Sequence, residues 1–142
     1  MAQLTPSGAQ NQIRRSVWMF EDLEYSLTLV PDEAERHYGL ALVQVMLGKF
    51  LDAVKSLRLA VKSDPQHLRA LSLLGELHFK LGGYQQAATY LEQVVNLEPD
   101  NITAITWLCM AYHCLGQKGK ALAKQSLLQN IARDLVVTLL KK

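Results

Sequence analysis

Cysteine is scarce: the chain holds two, Cys109 and Cys114, five positions apart and without a CxxC arrangement. That spacing fits a reducing, cytoplasmic compartment better than a disulfide-stapled secreted scaffold. Charge of one sign is equally scarce. Fifteen Lys and Arg against thirteen Asp and Glu leave a formal net charge of +2, too weak a field to point to nucleic acid. No apolar run reaches the roughly 18 residues of a spanning helix, so no membrane span is expected. The opening residues 1–12 contain Pro6 and Gly8, with neither the basic start nor the apolar stretch of a secretory signal, and are expected to form a flexible tail. Hydrophobic residues make up 49% and charged residues 20%, a globular balance in a 142-residue chain long enough for one compact unit or a short repeat array.

Groups that carry chemistry are also missing. Glycines stand singly or in pairs, with no phosphate-cradling or dinucleotide pattern. Cys109 and His113 share a helix face, but Cys114 points about 100° away and no fourth ligand follows at zinc spacing. No base and oxyanion site can be named for a cysteine nucleophile. The expectation is therefore no catalytic residue, no metal and no cofactor.

What is present is a repeat. Pro31, Pro65 and Pro99 are 34 residues apart, as are Gly48, Gly82 and Gly116, and Ala53, Ala87 and Ala121. Leu40, Leu74 and Leu108 keep the same step, as do Leu47, Leu81 and Leu115, while Ala41, Gly75 and Cys109 form a column of small residues. Within each period the apolar residues recur at helical spacing on both sides of the glycine, so each unit reads as two helices joined by a tight turn. In the second unit Leu71, Leu74, Leu77, His78 and Leu81 lie on the first helix, and Ala87, Leu91, Val94 and Val95 on the return helix. Proline closes the units near Lys62-Ser63 and Asn96-Leu97. Asp64 and Asp100-Asn101 are expected to cap the next helices. Small residues in two columns predict close helix crossings.

This pattern resembles the tetratricopeptide repeat (TPR) family, most closely in the second unit through Leu71, Leu74-Gly75, Gly82, Tyr84, Ala87, Leu91 and Pro99. His78 stands where the family prefers an aromatic residue, Arg133 where the third unit should have proline, and neither Trp18 nor Trp107 is at the usual tryptophan position. The resemblance implies an all-α fold, a right-handed superhelix of three helical hairpins over residues 34–67, 68–101 and 102–135. A capping helix over residues 13–30 precedes them, and 136–142 extend the last helix. Leu128, Ile131, Leu135, Val136, Leu139 and Leu140 form an apolar stripe that either folds back as a cap or meets a second molecule. Six acids and no Lys or Arg lie between Ser16 and Glu35, whereas six bases face Asp134 alone beyond Asn101. This opposition is expected either of solvated surfaces, with Lys141 and Lys142 favourably placed beside a helix C-terminus, or of electrostatic steering of a partner or head-to-tail association.

The resemblance also implies what the chain does. In the family, first helices line a concave groove that holds a peptide or helix of another protein. Mapped residue by residue, that wall includes Tyr38, Leu42, Met46, Arg69, Glu76, Phe79, Met110 and His113. Family members that grip the acidic C-terminus of heat-shock chaperones carry cations and amides where this chain has Tyr38, Leu42, Leu73, Thr103 and Trp107. The expected partner is instead a protein segment with apolar anchors, held by a non-catalytic scaffold or co-chaperone-like module. Size and repeat number also resemble small three-repeat bacterial secretion chaperones, and a self-assembling module, joined as a homo-oligomer through the C-terminal helix, is the structural alternative.

Overall fold

A computed structural model describes residues 22–141. The expected tail, the start of the capping helix with Trp18, and Lys142 lie outside the described residues. Residues 22–27 are helical, followed by α1 (Glu33–Met46), α2 (Phe50–Ser63), α3 (Leu68–Lys80), α4 (Tyr84–Leu97), α5 (Ile102–Cys114) and α6 (Lys118–Leu140). There is no strand among the described residues.

The helices pair as α1–α2, α3–α4 and α5–α6, and the hairpins stack in chain order through α2–α3 and α4–α5, with first helices α3 and α5 also touching. This is the expected helical-repeat superhelix. Gly48, Gly82 and Gly116 end the first helix of each hairpin at φ of 76°, 85° and 74°. Nothing lies within 4 Å of an added Cβ at these three positions, so the left-handed backbone itself is what calls for glycine. At the second turn the Gly82 and Gly83 amides donate back to the Phe79 and His78 carbonyls at 3.1 and 2.7 Å.

The capping pattern differs from expectation at one site. Asn101 Oδ1 accepts from the Ala104 amide at 3.0 Å, as anticipated, but the N-cap of α3 is His67, whose Nδ1 accepts from the Ala70 amide at 3.1 Å. Asp64 instead accepts from Gln66 within the connecting turn. It is the C-cap of α2, three residues too early for the next helix.

Two contiguous cores fill the stack. One unites Ala41, Ala53, Leu57, Ala60, Ala70, Leu74 and Leu77 between the first and second hairpins. The other gathers Leu71, Leu91, Val94, Ile105, Leu108 and Ala111 between the second and third. The small columns sit at the crossings. A Cβ on Gly75 would lie 2.6 Å from Leu91 Cγ, and the Cys109 thiol donates to the Ala121 carbonyl at 3.3 Å. Gly39 plays a similar part at the N-terminal edge, where the side chain of Leu27 fills the space a Cβ would need.

The C-terminal stripe divides. Leu127, Leu128 and Ile131 pack against the second core, which they close, but Leu135, Val136, Leu139 and Leu140 remain exposed. The stripe is thus a cap over its first half only, because α6 has 23 residues where α2 and α4 have 14.

Candidate functional site

Seven of the eight wall residues line two clefts. Tyr38, Leu42, Arg69 and Glu76 line a cleft of about 560 Å³ between α1 and α3. Phe79, Met110 and His113 line a second, of about 510 Å³, between α5 and α6. Met46, at the exposed end of α1, borders neither.

The first cleft is polar and internally occupied. Glu35 and Arg69 stand one period apart, and stacking brings them into a two-pronged ion pair at 2.8 and 2.9 Å. His67 reinforces the pair. Because its Nδ1 accepts the Ala70 amide, Nε2 carries the proton and donates to Glu35 Oε1 at 2.6 Å. That hydrogen bond, aided by Arg69, holds the Glu35 carboxyl below its ordinary value against the opposing effect of burial. Arg69 also lies over the Tyr38 ring, 4.9 Å from its centre. The remaining carboxylates are engaged too: Glu76 meets Lys80 at 3.0 Å, and Glu98 accepts from Asn101 at 3.0 Å. Arg69, the cleft's single Lys or Arg, is thus held by its own chain.

The second cleft is apolar. Met110 on α5 is 43% exposed and Leu122 on α6 is 61% exposed, with Cys109, Cys114 and Ala121 between them. Phe79 forms one wall but is no free anchor: its ring meets those of Tyr84 and Trp107 edge-on at 5.1 Å each, and all three tie the second hairpin to the third. Trp107, away from the family's tryptophan position, gains its role from that contact. Lys118, Leu122 and Gln125 were not among the expected wall residues because they belong to a second helix, and the wall was assigned to first helices. Leu122 directly follows the Ala121 column, which is the only sequence signal for it.

Behind the clefts, titratable groups serve packing. Tyr112 donates to Glu92 Oε1, and Lys124 approaches the same carboxylate at 3.5 Å. Burial, and then Glu92, push the Tyr112 phenol well above its ordinary value. His78 stacks on Tyr90 with ring centres 5.6 Å apart. Burial, and then the Arg58 charge, hold its pKa below the ordinary imidazole value. The unfolded chain therefore binds this proton more readily, so neutral His78 favours the fold at higher pH, and that stability falls as pH drops through about 6.5 to the lower folded value. His78→Phe should give a shallower loss of melting temperature between about pH 7.5 and 5.5. An unchanged slope in thermal melts would assign the acid sensitivity elsewhere.

Among the described residues no three His, Cys, Asp or Glu side chains are grouped to hold a metal ion, and no helix is long and apolar enough to cross a membrane.

Comparison with known proteins matches this architecture. Anaphase-promoting complex subunit 7 of Arabidopsis thaliana is 30% identical over 99 residues, which are 69% of this chain but 17% of that protein, so the chain spans about a sixth of this relative's length. Among solved structures, MamA residues 41 to the end from Desulfovibrio magneticus RS-1 superposes with a TM-score of 0.73 at 23% identity, covering 86% of this chain and 70% of that one. The second TPR domain of Spaghetti (RPAP3), bound to the HSP90 peptide SRMEEVD, superposes at 0.65 with 14% identity, covering 78% and 98%. The family described as anaphase-promoting complex, cyclosome, subunit 3 matches residues 10–94. With its 34-residue columns and stacked hairpins, the chain belongs to that family and, through it, to the tetratricopeptide repeat proteins.

Proposed function

We propose that the chain is a non-catalytic interaction module that binds an apolar-anchored peptide or helix of another protein, working in the cytoplasm. The observation that carries this reading is the second cleft: an apolar recess whose two flanking anchors, Met110 and Leu122, are left uncovered on different helices. Recesses of this kind accept a buried aliphatic or aromatic side chain, and flexible methionine adapts to its shape. The first cleft adds orientation, through the exposed Leu42 and the fixed polar rim around Arg69.

An acidic C-terminal peptide is a poor candidate. The single guanidinium of the first cleft is already paired with Glu35, and Glu76 and Glu98 stand in the same cleft. Peptide SRMEEVD, which the RPAP3 domain binds, is therefore expected not to bind this chain measurably.

The test uses a partner captured by pull-down, identified by mass spectrometry and then titrated as an isolated segment. Met110→Asp and Leu122→Asp should each weaken it about 10- to 100-fold, equivalent to roughly 1.4–2.8 kcal/mol, at unchanged helix content. Parental affinity in both variants would overturn the assignment of the second cleft. Phe79→Asp is unsuitable, since loss of the Trp107 contact would weaken the stack itself.

A further inference from the structure

We infer that copies of this chain associate head to tail, the far end of α6 in one copy seating on the acidic N-terminal edge of the next. The last nine residues of α6 run about 13 Å past the point at which α2 and α4 stop. There Leu135, Val136, Val137, Leu139 and Leu140 are all exposed, the last two by 67% and 80%. At 100° per residue these five cover an arc of about 200°, with Asp134, Thr138 and Lys141 on the remaining face. That exposed apolar face is about twice the width of the roughly 100° stripe by which a surface helix packs on its core, and it calls for a covering partner. Arg133 and Lys141 bracket the segment, with Asp134 its one acid.

The opposite edge of the stack is its complement. Leu23, Tyr25 and Leu29 are exposed there beside Asp22, Glu24, Asp32 and Glu33, and residues 22–33 contain no Lys or Arg. Joining two α6 ends would bring Arg133 and Lys141 of both copies together, whereas joining unlike ends sets bases against acids and apolar against apolar. The exposed α6 side chains offer about 500 Å² per copy, so the contact buries about 1,000 Å², near the lower limit for a specific interface. Association is thus weak, salt-sensitive and, because unlike surfaces meet, able to continue beyond a dimer. Neither Met110 nor Leu122 takes part, so this surface is independent of the proposed peptide cleft.

Sedimentation velocity on the full chain tests it. The mean mass should rise with concentration at about 50 mM salt and the association constant should fall at least 10-fold at about 500 mM. Reversing the basic end with Arg133→Glu and Lys141→Glu should cut association at least 10-fold, and so should reversing the acidic edge with Asp22→Lys and Glu24→Lys. An equimolar mixture of the two double variants should associate again, because each now presents the complement of the other. Helix content measured by circular dichroism checks that both are folded. A chain that stays monomeric up to about 0.5 mM overturns the inference. So does association that ignores the Asp22 and Glu24 reversal, which is the result expected of two α6 ends pairing, and so does a mixture that fails to recover.

Discussion

Gly75→Val should lower the unfolding free energy by about 3 kcal/mol, read as a fall in the urea midpoint at an unchanged slope. An added Cβ at this position lies 2.6 Å from Leu91 Cγ and 2.8 Å from Cδ2, and Leu91 is itself buried, so the clash cannot be relieved by turning the leucine towards solvent. Two opposing effects separate the possible substitutions. Alanine gains up to about 1 kcal/mol of helix propensity, which offsets much of its overlap. Valine gains less propensity and brings two further methyl groups. Gly75→Ala should therefore lie close to the parent and Gly75→Val well below it. Adding Leu91→Ala to the valine variant should recover about 1–2 kcal/mol relative to the sum of the single changes, since the truncated side chain vacates the contested space. A valine variant with the parental midpoint would mean that α3 and α4 do not cross closely there.

Leu57→Ala should cost about 3 kcal/mol, and its effect should be uneven along the stack. Leu57 is fully buried in the core that joins the first two hairpins, and truncation leaves a cavity that rigid neighbours fill poorly. The other core, around Leu91, Ile105 and Leu108, shares α3 with it but has its own side chains: Leu74 and Leu77 serve the first, Leu71 the second. In an array whose units touch only their neighbours, damage stays local until the weakened unit opens. Amide exchange in α1 and α2 should accelerate about 100-fold, while α5 and α6 accelerate far less. Leu108→Ala should show the reverse pattern. Uniform acceleration in both variants would make the three hairpins one cooperative body and refute the separation of the cores.

Much of this architecture is legible in one dimension because helices are local objects. Where Leu71, Leu74 and Leu77 recur at helical spacing and Gly82 follows, the backbone hydrogen bonds that build α3 and its turn all lie within a few residues, so spacing along the chain becomes register in space. The close crossings follow for the same reason, as with Gly75 opposite Leu91. The N-cap of α3 is not legible in this way: Asp64 is the residue type that favours a cap, whereas the capping atom is the imidazole nitrogen of His67.

The candidate site is less legible. Glu35, Arg69 and Thr103 share a repeat position, yet nothing in that column says that the first two pair or that His67 completes the pair from a loop. Phe79 presents the same pattern to the eye as a groove residue and as a packing residue, and only the approach of Tyr84 and Trp107 decides between them. Leu122 carries no groove signal in the sequence, because the second cleft lies between a hairpin's two helices and not along the first helices alone.

By itself the amino-acid order determined the period, the two-helix unit, the glycine turns and the identity of the small residues at the crossings, since each arises from interactions spanning at most a few turns of chain. The tertiary structure alone decided which charges neutralise one another, which wall residues line a polar cleft and which an apolar one, and how far α6 runs past its support. Those outcomes depend on the offset between stacked helices, a distance set jointly by every side chain in the two cores and encoded at no single position.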